Sequence, residues 1–131
     1  MPGTLIEIRR QYSMEEEIGI IEAVHCALVS AFKIPAGDKT IRLSVHLPHR
    51  FAVPPDRTKP ENYTLISIDA FSGRSIQAKR NLYHEIVSNL EPFGIPKDHV
   101  LIVLRESVSE NWGVRGGKAA CDVDLGFNVR I

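Results

Sequence analysis

The sequence has no excess of charge of either sign: 16 Lys+Arg stand against 16 Asp+Glu in 131 residues, for a formal net charge of zero. A general nucleic-acid binder is therefore not expected, because phosphate recognition needs a basic excess or a basic stripe. No apolar run approaches the roughly 18 residues of a membrane span, so no membrane partner is expected either. The opening Met1-Pro2-Gly3-Thr4 has neither the basic nor the apolar region of a signal peptide. Only two cysteines are present, Cys26 and Cys121, without metal-ligand spacing. That excludes a disulfide framework and favours a reducing, cytoplasmic setting. A nucleophile elbow, a phosphate loop, a zinc site and a dinucleotide fingerprint are all missing, and His25, His46, His49, His84 and His99 form no convincing ligand pair. No metal or cofactor is called for.

What is present is an internal repeat. Thr4-Leu5-Ile6 returns as Thr64-Leu65-Ile66, and Ile8 returns as Ile68. Phe32-Lys33-Ile34-Pro35 returns as Phe93-Gly94-Ile95-Pro96. The two copies span about 2–47 and 62–105 within one domain of residues 1–131. Each reads as β-α-β. In the first copy, a strand over about 3–9 leads to Ser13-Met14-Glu15-Glu16, a capping box backed by acidic residues at the positive end of the helix dipole. Met14, Ile18, Ile21, His25, Leu28 and Phe32 then recur at helical spacing, with Val24, Ala27 and Ala31 widening the face, until Pro35 and Gly37 stop the helix. Ile41, Leu43, Val45 and Leu47 alternate with Arg42, Ser44 and His46, the pattern of a half-buried strand. The second copy predicts a strand over 63–70 and a helix over 76–91 with Ile76, Tyr83, Ile86, Val87 and Leu90 inward. Val100 to Leu104 completes it as a strand. The proline-bearing linker, 48–62, reads as an ordered loop. At the carboxyl end Cys121, Val123, Leu125, Phe127, Val129 and Ile131 alternate with polar residues or glycine, which predicts an edge strand. An edge strand, and a sheet face with no helices left to cover it, both argue for assembly with further copies.

Pro2 is the unusual candidate for chemistry. Met before a small residue is normally removed, which would leave the Pro2 nitrogen as a free secondary amine. Held at a strand end, near cations and away from water, such an amine loses proton affinity and works as a base near neutral pH.

A Pro2-initiated strand opening a duplicated β-α-β chain resembles the tautomerase superfamily. Phe32 to Asp38 (FKIPAGD), His46, Gly73-Arg74-Ser75 and Asn111-Trp112-Gly113-Val114-Arg115-Gly116 resemble its malonate semialdehyde decarboxylase-like branch. The resemblance covers nearly the whole chain. It implies an α+β fold in which tandem β-α-β units form a four-stranded mixed sheet with two helices on one face, here with the carboxyl-terminal edge strand added. It also implies a homotrimer with sites near subunit boundaries and a small carboxylate substrate. Pro2 would move a proton between carbon and oxygen, or, if cationic, act as the acid in a decarboxylation or hydration. Arg74, at a helix start, would hold the substrate carboxylate together with helix amides. A cation there works against the helix dipole, which favours a functional role. Asp38 would assist by hydrogen bonding or water activation. Arg115 and Trp112 would line the substrate site. The decarboxylase pattern has two arginines two residues apart, and here the first position is Ser72. The expected function is keto–enol proton transfer on a small α-keto or unsaturated acid. The alternatives are a malonate semialdehyde-type decarboxylase or hydratase, and a non-catalytic trimeric module of the same fold. His46 reads as a surface or interface residue, and His25 and Cys26 read as structural.

Overall fold

The computed structural model describes residues 2–131. Strand β1 (Gly3–Ile8) leads to helix α1 (Met14–Phe32) and strand β2 (Ile41–Val45). After the linker come β3 (Thr64–Phe71), α2 (Ile76–Leu90) and β4 (Val100–Ser107), and then the short strands β5 (Gly113–Val114) and β6 (Lys118–Ala119). The main sheet has the order β2-β1-β3-β4, and β5 and β6 form a small separate ribbon. Both helices cover one face of the four-stranded mixed sheet. Within each copy the two strands are parallel, as a helical crossover requires, while β1 and β3 join the copies antiparallel. Their register makes the repeat visible in space. Thr4 faces Ile68, Thr64 faces Ile8, and Ile6 faces Ile66. A local twofold axis thus passes between the two residues that the repeat equates.

The helix signals are realised as read. Ser13 Oγ accepts from the Glu16 amide while the Glu16 carboxylate accepts from the Ser13 amide. Ser75 caps α2 with its side chain alone, Oγ accepting from the Ala78 amide. The inward faces are as read except near the helix starts: Val24, His25, Ala27, Leu28, Ala31 and Phe32 of α1 and Ile86 and Leu90 of α2 are buried. Met14, Ile18 and Ile76 are exposed, and the core takes Ile20, Val24, Ala27, Leu28 and Ala31 from α1 and Ala78, Leu82, Ile86 and Leu90 from α2. The first helical turns precede the part of each helix that packs on Ile6, Ile8, Ile66 and Ile68. The linker is ordered at its end by His99, which is fully buried. Its Nδ1–H donates to Asp98 Oδ1 (2.7 Å), and its Nε2 accepts from the Lys59 amide (3.1 Å).

The carboxyl-terminal edge strand does not form. Residues 121–131 join no ladder, and the edge ribbon is made by β5 and β6 instead. The alternation is still used, since Val123, Leu125, Phe127 and Val129 are half-buried against Phe71, Val114 and Ala120. Two local turns replace ladder bonds: Asp124 Oδ1 accepts from the Gly126 amide and Asn128 Oδ1 from the Arg130 amide, both at 2.9 Å. With Gly126 at φ +77°, the chain bends where a strand would run straight. Among the described residues, no helix is long and apolar enough to cross a membrane.

Candidate active site

Pro2 is buried at the amino end of β1. Two residues on, the Thr4 amide donates to the Thr40 carbonyl (3.0 Å), which ties this strand end to the loop that enters β2. That loop carries Asp38, Lys39 and Thr40. Together with Pro35, Gly37, Arg115, Leu125 and Phe127 they line a cavity of about 310 Å³. Two sequence candidates far apart in the chain, Asp38 and Arg115, therefore share one cavity beside the Pro2 strand end. Arg115 is exposed and has a left-handed backbone (φ +46°) ahead of Gly116 and Gly117, both also at positive φ. This tight turn points its guanidinium back, and Nη1 donates to the Asp124 carbonyl (2.6 Å).

Arg74 lies deeper, at 6% exposure, in the turn between β3 and α2. Its guanidinium carbon is 4.5 Å from the Phe32 ring centre and 5.9 Å from that of Phe127. Phe127 also lines the cavity, so one ring separates that space from the buried cation. Nη1 donates to the Phe71 carbonyl (3.3 Å). Nε and Nη2, the side of the guanidinium that can grip a carboxylate with two parallel hydrogen bonds, are buried and meet no acceptor among the described residues. Burial pulls the Arg74 pKa below the usual arginine value, and the Glu106 and Asp38 carboxylates oppose that pull. A buried cation with two open donors, flanked by carboxylates and aromatic rings, is built to receive an anion.

Trp112 stands apart. Its indole Nε1–H donates to Ser107 Oγ (2.8 Å), and its ring meets Phe71 edge-on, with centroids 4.9 Å apart. It packs with the small carboxyl-terminal cluster and does not line the Asp38–Arg115 cavity. Ser72 lines a second cavity, about 380 Å³, with Phe71, Val129 and Arg130. His46 bonds Glu7 (3.0 Å) on the sheet face away from the helices, and His25 Nε2 bonds the Ala36 carbonyl oxygen (2.7 Å). Phe127 is the site residue that sequence reasoning missed. Its only signal was a place in an alternating run, which says that a side chain is half-covered but not what it covers.

The family model described as "Tautomerase enzyme" matches residues 38–115. The chain is similar to FG41 malonate semialdehyde decarboxylase, solved with the inhibitor 3-bromopropiolate: 27% identity, TM-score 0.81, 89% of this chain and 92% of that one. A second malonate semialdehyde decarboxylase, described with decarboxylase and hydratase activities, matches at 23% identity and TM-score 0.82 over 93% and 99% of the two chains. Native fused 4-OT matches at 14% identity and TM-score 0.82 over 92% and 98%. These last two likenesses are of fold alone.

Proposed function

The chain belongs to the tautomerase enzyme family, and from that premise we propose that it catalyses keto–enol proton transfer on a small α-keto or unsaturated carboxylic acid. The observation that carries this reading is the open Nε/Nη2 pair of buried Arg74, whose neighbour Phe127 also lines the Asp38–Arg115 cavity. Arg74 grips the substrate carboxylate and so fixes where the next carbons lie. Pro2, freed as a secondary amine by loss of Met1, takes the enol hydroxyl proton. The carbonyl re-forms, and the proton is delivered to the neighbouring carbon. Negative charge builds on the oxygen in the transition state, where the Arg115 guanidinium or a backbone amide stabilises it most. No cofactor is needed, since the step moves only a proton. Assembly as a homotrimer belongs to the same reading.

The test is ketonisation of phenylenolpyruvate by protein whose intact mass confirms loss of Met1, beside Pro2→Ala. A rate well above buffer that collapses in the variant is expected. Equal rates in the two proteins would overturn the role of Pro2.

A second reading, decarboxylation or hydration of a malonate semialdehyde-like acid, is favoured by Asp38, which lines the cavity where it can hydrogen-bond substrate or water. Ser72 weighs against it, since a second cation at that position would hold the departing carboxylate. Release of carbon dioxide from malonate semialdehyde, lost in Asp38→Asn, would move the assignment to this reading.

A further inference from the structure

The donors that make Arg74 a carboxylate receptor are sealed. Nε and Nη2 have no exposed surface and no acceptor, a combination that no other side chain shows twice among the described residues. Part of the seal is the carboxyl-terminal segment. The Phe127 ring centre stands 5.9 Å from the guanidinium carbon, Val129 and Arg130 lie on Gly73, and Ser75 Oγ donates to the Ile131 main-chain oxygen (2.9 Å). The approach at Gly73 is so close that a Cβ there would meet Val129 Cγ2 at 3.1 Å, and φ is +132°. The segment crosses the β3–α2 turn on both sides of Arg74. It also separates two open spaces: Leu125 lines both the Asp38–Arg115 cavity and the Ser72–Arg130 cavity.

This cover is held lightly. Residues 121–131 share no ladder with the sheet. Among the described residues, and beyond local turns, residues 123–131 are tied to the rest of the fold by the Arg115–Asp124 and Ser75–Ile131 hydrogen bonds and by apolar contact. The φ of Gly126, +77°, places a bend one residue before Phe127. A segment that joins no ladder and buries only alternate residues, each of them partly, opens at lower free-energy cost than the sheet beneath it.

We propose that residues 123–131 form a strap that gates the site, with Phe127 as its plug: a substrate carboxylate reaches Arg74 Nε and Nη2 by displacing the Phe127 ring. This rests on the reading of Arg74 as the carboxylate receptor. The guanidinium that carries the empty fork has two ring neighbours, Phe32 at 4.5 Å and Phe127 at 5.9 Å, and displacing Phe127 gives up the weaker of these cation contacts for two charged hydrogen bonds when a carboxylate arrives. Arg115 links the two events, because the guanidinium that faces the cavity also holds the strap at Asp124. Phe127 is thus a positioning and specificity residue: it acts through Arg74, and it admits only acids that replace its contact.

The chain's single tryptophan, Trp112, packs against the cluster that the strap covers and reports its movement. The probe is 2-oxobutyrate, mixed in a stopped-flow fluorimeter with wild type, Phe127→Ala, Phe127→Leu and Arg74→Ala. In wild type the observed rate is expected to level off with concentration, because strap opening becomes limiting. In Phe127→Ala it rises linearly, and apparent affinity improves by roughly tenfold, the gain expected if the site is open about a tenth of the time. Phe127→Leu falls between, and it serves if alanine loosens the fold. Hydrogen exchange over 123–131 quickens on binding in wild type. Binding that needs Arg74 but shows a linear rate in wild type and the same affinity in both Phe127 variants overturns the gate and leaves the receptor standing. Binding that survives Arg74→Ala unchanged removes the receptor, and the gate with it.

Discussion

A permanent charge at 6% exposure with two donors unmatched is a costly way to fill space between Phe32 and Phe127. If Arg74 were only structural, the protein would be better served by methionine, which has a similar length and no buried donors. Arg74→Met is therefore expected to raise stability by about 1–3 kcal/mol, the usual penalty of unsatisfied buried groups, while abolishing carboxylate binding. Urea denaturation alongside the ketonisation assay reads both. The sign with pH follows from the depressed pKa. Burial favours the neutral form, so the folded state is penalised at every pH below the folded pKa and relieved only above the unfolded value. The gain from Arg74→Met should hence be flat across the neutral range, and a gain that changes there would point to another group. At this scale the sequence was a good guide to charge and a poor one to aromatic cover. Arg74 announced itself because a cation at a helix start needs a reason. Asp38 and Arg115 could be named but not placed together, since only the β1–β2 pairing and the glycine turn bring them to one cavity. Trp112 packs with the carboxyl-terminal cluster and Phe127 lines the cavity, and neither periodicity nor spacing tells one partly buried ring from another.

The elements obey the repeat more closely than the residue identities suggest. Lys33 and Gly94 occupy equivalent places in the two copies and share the left-handed conformation, at φ 56° and 79°. Gly94 adopts it freely, whereas Lys33 carries a Cβ against the following carbonyl. Lys33→Gly should stabilise the fold by about 0.5–1 kcal/mol, and Gly94→Ala should destabilise it by a similar amount. Equilibrium unfolding of both variants checks the pair, and two shifts of the same sign would mean that the copies do not share this cap. Strands and helix starts were legible because pleat alternation and capping boxes are local signals. The phase of each helix was legible beyond its start, where Val24, Leu28 and Phe32, and Ile86 and Leu90, are buried as the spacing predicts. Met14, Ile18 and Ile76 continue the apolar spacing into the first turns, but whether a first turn meets the sheet is decided by the strands beneath it. Residues 121–131 failed as a strand for a related reason: alternation specifies one covered face, and a bent segment lying on a cluster satisfies it as well as a ladder does.

Both helices lie on one side of the four-stranded sheet, so among the described residues no helix covers its other side. Register places Leu5 and Glu7 of β1, Leu65, Ser67 and Asp69 of β3, and Leu101, Val103 and Arg105 of β4 on that open side, with Arg42, Ser44 and His46 from β2 and its end. Leu101 and Val103 are 48% and 39% exposed in one copy, next to Leu65. Branched apolar side chains on a sheet edge are what a protein avoids leaving in water, because edge and face together invite pairing. Charges frame the patch without filling it. Arg105 holds Asp69 through two bonds (2.9 and 3.2 Å), and that hydrogen bonding keeps the Asp69 carboxyl below its ordinary range. The pair is half exposed, so in the isolated chain it contributes little and is screened by salt. Its fixed geometry suits it to marking the rim of an interface whose centre is Leu65, Leu101 and Val103. The homotrimer proposed above would cover this face. Leu101→Lys with Val103→Lys adds two like charges to each copy at that centre, where repulsion and desolvation both oppose contact. Sedimentation velocity should show the wild type assembled and the double variant as a monomer with its helical circular dichroism retained. Catalysis should fall with assembly if subunit boundaries complete the site. A double variant that sediments as wild type does would move the interface elsewhere and leave the open sheet face without a partner.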